Sequence, residues 1–411
     1  MASNTWFVII FALVIFNYLF STVLNFINAR NWKSDIPSNM KEFYDESKYQ
    51  KARDYGKEKE RISFIGSTIS LLLMLLMLSF NGFGVLNDFS TDFSESVYVQ
   101  TGIFFLILFV ASDLISLPFS WYNTFVIEEK YGFNKTTYRT FIFDKIKGYL
   151  LTIIVGGGIL FGIMYIVASL TNGFWIWLWL ALATLMILIN MFYADVIVPI
   201  FNKLTPLENG NLRTKIEEYS KKVGYELKNI FIIDGSKRST KANAFFSGLG
   251  PRKTIALYDT LVEKHSDEEL VAVLAHEVGH FKKKHVITSL ILTILQLGLM
   301  TWLIELCLKQ NEISQALGAD EMVFHLGIVA FGVLYSPIGT VLSLFMNILS
   351  RKNEFEADAY AKSTANPEDL ILALKKLSVD SLSNLYPHPL YVFFHYSHPP
   401  LLKRLDRLNP S

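Results

Sequence analysis

The strongest chemistry in this chain is concentrated in five residues, His276-Glu277-Val278-Gly279-His280. Residues four apart on an α-helix lie about 40° apart around its axis, so the two histidines share a face. Two imidazoles so placed can hold one Zn²⁺, and the carboxylate between them, Glu277, can act as general base toward an attacking water. A catalytic zinc site uses three protein ligands and leaves one position open, so one ligand is still to be found. The segment SRKNEFEADAYA, Ser350 to Ala361, offers Glu354, Glu356 and Asp358. Glu354 and Asp358 are again four apart and share a face, whereas Glu356 points elsewhere.

Whether Glu354 can reach the histidines depends on the elements that carry both. The 411 residues are 51% hydrophobic and only 18% charged, the composition of a multi-pass membrane protein. Seven apolar runs approach the roughly 20 residues that cross a bilayer core. They are Trp6–Ile27, Ile62–Phe80, Val97–Leu117, Tyr149–Leu170, Phe174–Val198, Val286–Leu308 and Phe324–Leu349. The first lacks a basic leading segment and is long for a signal peptide, so it reads as a retained helix. Nine basic residues lie between Arg30 and Arg61 and five between Lys130 and Lys147, while Asn81–Ser96 has none. Basic loops alternate, which predicts an N-terminus outside and a C-terminus in the cytoplasm.

In that topology the sixth run leaves the cytoplasmic face and the seventh returns to it. His280 precedes Val286 by about 9 Å of continuous helix, and Glu354 follows Leu349 by about 7.5 Å. Coordination by His276, His280 and Glu354 is therefore expected, with Asp358 behind them fixing the tautomer of a ligand imidazole. A His/His/Glu donor set favours Zn²⁺, one per chain.

Four segments follow: 1–201 with five membrane helices, a cytoplasmic insertion at 202–285, two membrane helices at 286–349, and a cytoplasmic C-terminal segment at 350–411. The insertion is expected to hold a helix over Asn211–Val223 and strands at Asn229–Asp234, Ala244–Phe246 and Thr254–Leu257, the last two joined by a Gly-Leu-Gly-Pro turn. Ser266 and Glu269 form a capping-box pattern that opens the HEVGH helix, which is expected to run on into the sixth span. A strand just ahead of that helix could pair with an extended peptide and hold its scissile bond over the metal.

Other residues carry less. Cys307 is the only cysteine, so no intrachain disulfide or thiolate metal site can form. A net charge of +1 gives no reason to expect nucleic acid. Asn134-Lys-Thr136 matches a glycosylation acceptor on the wrong side of the membrane. His265, His285, His388 and His395 read as surface or interface residues, and His325 as an interfacial residue at the outer end of the last span. Asp113, Asn190, Asp195 and Glu305 fall in or near spans and should face one another or a polar interior.

Several stretches in this order resemble the type I CAAX prenyl proteases, integral-membrane zinc endopeptidases that process farnesylated proteins. They are EEKYGFNKTT (Glu128–Thr137), PIFNKLTPL (Pro199–Leu207), GSKRSTKANAFFSG (Gly235–Gly248), HEVGH, SRKNEFEADAYA and SHPPLLKRL. The resemblance implies a mostly α fold: seven long membrane helices as a barrel around a water-filled chamber, with a small cytoplasmic α/β protease insertion. It also implies that Asn243 and His398 act on substrate, the latter by holding it or stabilising a developing oxyanion. Arg404 is implied as a contact between the C-terminal tail and the active site. The expected substrate is a prenylated CAAX C-terminus or, in a bacterial host, a misfolded or signal-derived membrane peptide. The chain ends without a dilysine signal, which leans toward a bacterial inner membrane; in a eukaryote the expected site is the endoplasmic reticulum. A transporter, or a scaffold that uses zinc only for stability, is the competing class. A retained Glu277 beside a complete ligand set argues against both.

Overall fold

The computed structural model describes residues 4–170, 172–225, 227, 229–247 and 254–409. Among the described residues, six helices are long and apolar enough to cross a membrane: Thr5–Arg30, Glu46–Ser79, Val97–Glu128, Tyr138–Ser169, Phe174–Phe201 and His285–Leu308. Phe324–Leu334 and Ser336–Thr364, bent by 49°, make a seventh crossing when taken as one span. Their starts follow local chemistry. Asn4, Asp45 and Thr137 each accept a hydrogen bond from a backbone N–H in the first turn of the helix they precede. Phe16, Leu19, Val23 and Phe26, spaced by three or four, form an exposed apolar stripe on the first helix, as a lipid-facing side requires.

The last span bends because Pro337 stands in the first turn of its second half, where it lacks an N–H to donate and its ring crowds the preceding turn. The fourth span begins at Tyr138, earlier than the apolar run suggests, and contains a π turn at Thr152–Gly156.

Three of the polar groups in or near the spans are held by specific partners. Glu305 accepts from the backbone N–H groups of Gly173 and Trp175, both at 3.0 Å, and so caps the fifth span. Asp113 pairs with Lys145 at 2.8 Å and accepts from the Tyr149 hydroxyl. His325 is not interfacial: it is buried, with Nδ1 3.2 Å from the Thr101 hydroxyl and Nε2 3.0 Å from Asn87 Oδ1.

The insertion contains one more strand than expected. Its sheet comprises β1 (Leu204–Pro206), β2 (Asn229–Ile233), β3 (Ala244–Ser247) and β4 (Thr254–Tyr258), in the order β1-β2-β4-β3. β2 and β4 are parallel and the outer pairs antiparallel. The strand immediately ahead of the HEVGH helix, β4, is thus enclosed, and β3 is the edge available to a peptide. That corrects the expectation placed on β4. The Gly-Leu-Gly-Pro turn between them lies outside the described residues.

One apolar core joins the insertion to the C-terminal segment. Leu270, Leu274 and Val278 of the HEVGH helix pack with Ile255 and Leu257 of β4, Ile216, Leu370 and Leu405. Tyr49 and Tyr55, from the first turns of the Glu46–Ser79 helix, and Tyr131 and Phe133, from the loop after the third span, belong to the same cluster.

The HEVGH helix, Asp267–Lys282, is capped by Ser266, whose hydroxyl accepts from Glu269 N–H at 3.2 Å. The reciprocal half of the capping box is replaced. Glu269 turns instead to His265 Nδ1 (2.7 Å) and Lys376 Nζ (2.6 Å), which leaves His265 buried and not on the surface. Nor does this helix continue into the sixth span. It stops at Lys282, Lys284 takes a left-handed conformation with φ of 60°, and a new helix begins at His285.

Opposite it, Gly279 faces Ala357 of the Ser336–Thr364 helix. A Cβ on Gly279 would lie 3.0 Å from Ala357 Cα and 3.1 Å from Ala357 O, both backbone atoms that cannot swing aside. Gly279→Ala is therefore expected to force the helices apart and destabilise the protein by about 1–3 kcal/mol despite the higher helix propensity of Ala. The check is the thermal midpoint in detergent. A midpoint at or above wild type would show that the crossing has slack.

Candidate metal centre

The close crossing at Gly279 places the three expected donors together. His276 Nε2 lies 3.1 Å from His280 Nε2 and 3.5 Å from Glu354 Oε2, and His280 Nε2 lies 3.3 Å from Glu354 Oε1. A tetrahedral ion with bonds of about 2.0–2.1 Å has ligand atoms about 3.3–3.4 Å apart, so the triangle fits zinc-sized coordination. Two buried features also point to a cation. Both imidazoles turn Nε2 toward the same point, and Glu354 Oε2 is buried without a hydrogen bond although Arg404 Nη1 lies 3.4 Å away. Among the described residues, His276, His280 and Glu354 are the one group of three or more such side chains arranged for a metal ion.

Behind the donors stands a layer of partners. His276 Nδ1 is 2.9 Å from Asp358 Oδ1. Asp358 receives two hydrogen bonds from Arg404, Nε to Oδ2 at 2.9 Å and Nη2 to Oδ1 at 2.6 Å. Arg404 is buried, with its guanidinium engaged by Asp358 and lying beside Glu354, so it reaches the site from behind the ligands. His280 Nδ1 faces His285 Nδ1 at 3.1 Å, and His285 Nε2 faces Glu356 at 3.1 Å. His285, expected at the surface or an interface, is buried against His280. The signal was present as a third histidine five residues after His280. It was unreadable while the helix was taken as continuous.

A cavity of about 900 Å³ opens beside the triangle, lined among others by Asn243, Phe245, Glu277, His280, Glu354 and His398. Asn243 precedes β3, and its Oδ1 accepts from Ala244 N–H at 2.9 Å. His398 lies in the loop before the Leu401–Leu408 helix, largely exposed, with Nε2 3.3 Å from Glu354 Oε1. A second cavity of about 360 Å³ lies on the span side, lined by Asn190, His280, His285, Ser289, Ser350 and Asn353. His388 caps the Pro389–His395 helix, and His395 stacks near Tyr391, so neither joins the centre.

Glu277 sits in a place that favours proton traffic. Burial pushes its carboxyl above the ordinary carboxylate range.

Comparison with known proteins gives the family. Residues 25–203 match the family described as CAAX prenyl protease N-terminal, five membrane helices, and residues 206–410 match Peptidase family M48. The chain belongs to the CAAX prenyl protease family of M48 peptidases. It is 34% identical to CAAX prenyl protease 1 homolog of Oryza sativa, covering 97% of this chain and 96% of the relative. It is 32% identical to CAAX prenyl protease 1 of Saccharomyces cerevisiae, covering 98% and 95% respectively. The crystal structure of S. mikatae Ste24p superposes with a TM-score of 0.93 at 32% identity, over 98% of this chain and 99% of that one. As an M48 peptidase, the chain is a membrane metalloprotease, integral and multi-pass.

Protonation follows from the same contacts. Burial alone would lower the His276 pKa, but hydrogen bonds with Asp358 and Glu354 outweigh it and bring the metal-free imidazole up to about 9. A histidine raised above its unfolded value stabilises the fold fully below about pH 6.5, and that stabilisation disappears as pH rises through 9. Chelator-treated protein is therefore expected to lose thermal stability between these values. Over the same window metal affinity should climb by about tenfold per pH unit, since binding displaces the proton. Titrating the thermal midpoint and metal affinity across pH 6–10 checks both. Flat profiles would contradict the assignment.

Proposed function

We propose that this chain is a zinc endopeptidase that cleaves membrane-associated peptides at the cytoplasmic face, with prenylated CAAX C-termini as substrate and the last three residues as product. The observation that carries this reading is the His276–His280–Glu354 triangle opening directly onto a cavity that also holds Glu277 and the approach to β3. Zinc, when bound, acts as a Lewis acid that polarises the scissile carbonyl.

The chain's own groups supply the rest. An extended substrate adds to the open edge of β3, where backbone hydrogen bonds fix its direction and alternate side chains enter the cavity. Asn243 binds substrate backbone at the end of that edge. Glu277 takes a proton from the attacking water and returns it to the leaving amine. His398, on the exposed side of Glu354, donates to the oxygen on which negative charge develops. Asp358 and Arg404 hold His276 and Glu354 in place.

The alternation of basic loops supports a centre in the cytoplasm and an N-terminus outside, in a bacterial inner membrane or, in a eukaryotic host, the endoplasmic reticulum. The polar cavity on the span side supports a chamber among the helices that admits part of the substrate. The named substrates of the relatives favour CAAX processing over the turnover of unlipidated membrane peptides.

Cleavage of two quenched peptides, one a farnesylated CAAX sequence and one unlipidated, separates these readings. Wild type should prefer the farnesylated peptide. Glu277→Ala should retain zinc and lose about 10²–10⁴-fold in kcat/KM. Equal rates for the two peptides would remove the CAAX assignment. An undiminished Glu277→Ala would remove the catalytic one.

A further inference from the structure

His285 has no part in the function proposed above, yet it is buried among the groups that matter most. On a continuous helix, residues five apart lie about 140° apart around the axis and cannot meet. His280 and His285 nonetheless face each other through Nδ1 atoms 3.1 Å apart. The break between the HEVGH helix and the sixth span makes this possible. Lys284 is held at φ 60°, a region that side chains with a Cβ adopt reluctantly, and the chain turns so that His285 folds back beneath His280. Strain of this kind persists where the surroundings enforce it.

The proton positions follow from the distances. His280 presents Nε2 to the donor triangle, so that nitrogen must offer its lone pair and Nδ1 must carry the hydrogen. Two Nδ1 atoms at 3.1 Å share a single proton, so His285 Nδ1 is the acceptor. The remaining proton of His285 then sits on Nε2, where it is donated to Glu356 Oε2 at 3.1 Å. Glu356 is itself half-exposed and 3.7 Å from Lys352. With His280 Nε2 given to the metal, the sequence Glu356–His285–His280 has one arrangement of hydrogens that satisfies every contact.

We propose that His285 is a positioning residue for His280, and that with Glu356 it locks the tautomer and orientation in which His280 can bind the metal. It corresponds on the His280 side to what Asp358 and Arg404 do for His276. The inference rests on reading the triangle as a metal site. Its consequence is that the metal is held by two independent outer supports, one from the C-terminal tail and one from the start of the sixth span.

The test uses the purified full-length chain in detergent, stripped by chelator and titrated with zinc against a chromophoric competitor. Co²⁺ loading and its visible spectrum report ligand geometry. His285→Leu is expected to weaken zinc binding about 10–100-fold and to alter the Co²⁺ spectrum. His285→Asn places an amide oxygen where Nδ1 stood and should recover most of the affinity. The thermal midpoint of the stripped protein separates packing from positioning, because a packing role would lower the midpoint of the Leu variant without changing zinc affinity.

Zinc binding by the Leu variant within about twofold of wild type would overturn the proposal while leaving the metal site standing. Failure of wild type itself to bind zinc would overturn both. If the Leu variant does not fold, Glu356→Ala decides, since that side chain is half-exposed and outside the core. Weakened zinc binding with an unchanged stripped midpoint supports the relay, and unchanged binding refutes it.

Discussion

The backbones of the HEVGH helix and the Ser336–Thr364 helix meet at Gly279 and Ala357 with no room for a Cβ on the glycine. Everything at the centre depends on that contact. His276 and His280 come from one helix and Glu354 from the other, so the donor triangle exists only at this separation. The two helices are far apart in sequence, and each connects to the membrane. The HEVGH helix is followed by the sixth span, and the Ser336–Thr364 helix continues the seventh. Membrane packing therefore sets the depth of the ligands, and the core of Leu270, Leu274 and Val278 against Ile255 and Leu405 sets their rotation. Neither layer would suffice alone.

Charge is managed by the same logic throughout the chain. Buried ionisable groups are costly unless paired, and more so within a span. At the centre, Glu354 and Asp358 face His276, His280 and Arg404. At the far end of the sixth span from the donors, Glu305 is offset by two backbone N–H groups and Lys309. His325 is accommodated by neutral partners, Thr101 and Asn87, against the ring of Phe104. Polar residues in the spans that sequence could only assign to pairing or to a wet interior divide between the two. Asp113 and Glu305 are paired, while Asn190 lines both cavities beside the donors.

What could be read from sequence was local. Four-residue spacing announced the shared faces of His276 with His280 and of Glu354 with Asp358, because helical periodicity needs no knowledge of the partner. Span lengths announced the multi-span membrane architecture for the same reason. The rest was set by long-range structure. Lysine is no helix breaker, so nothing at Lys284 announced the left-handed turn that brings His285 to His280. The order of the strands, and hence the choice of β3 over β4 as the open edge, depends on β2 pairing in parallel with β4 across the intervening β3. Arg404 could be linked to the site only by resemblance, since the helix that delivers it lies 46 residues beyond Asp358.

The central claim is that His276, His280 and Glu354 together hold one zinc ion. X-ray absorption at the zinc edge, on purified wild type and Glu354→Gln, tests it most directly. The account predicts about one zinc per wild-type chain with only nitrogen and oxygen neighbours near 2.0–2.1 Å. It further predicts that the variant loses the ion or one of its oxygen neighbours. A sulfur neighbour, or a spectrum unchanged by Glu354→Gln, would contradict it.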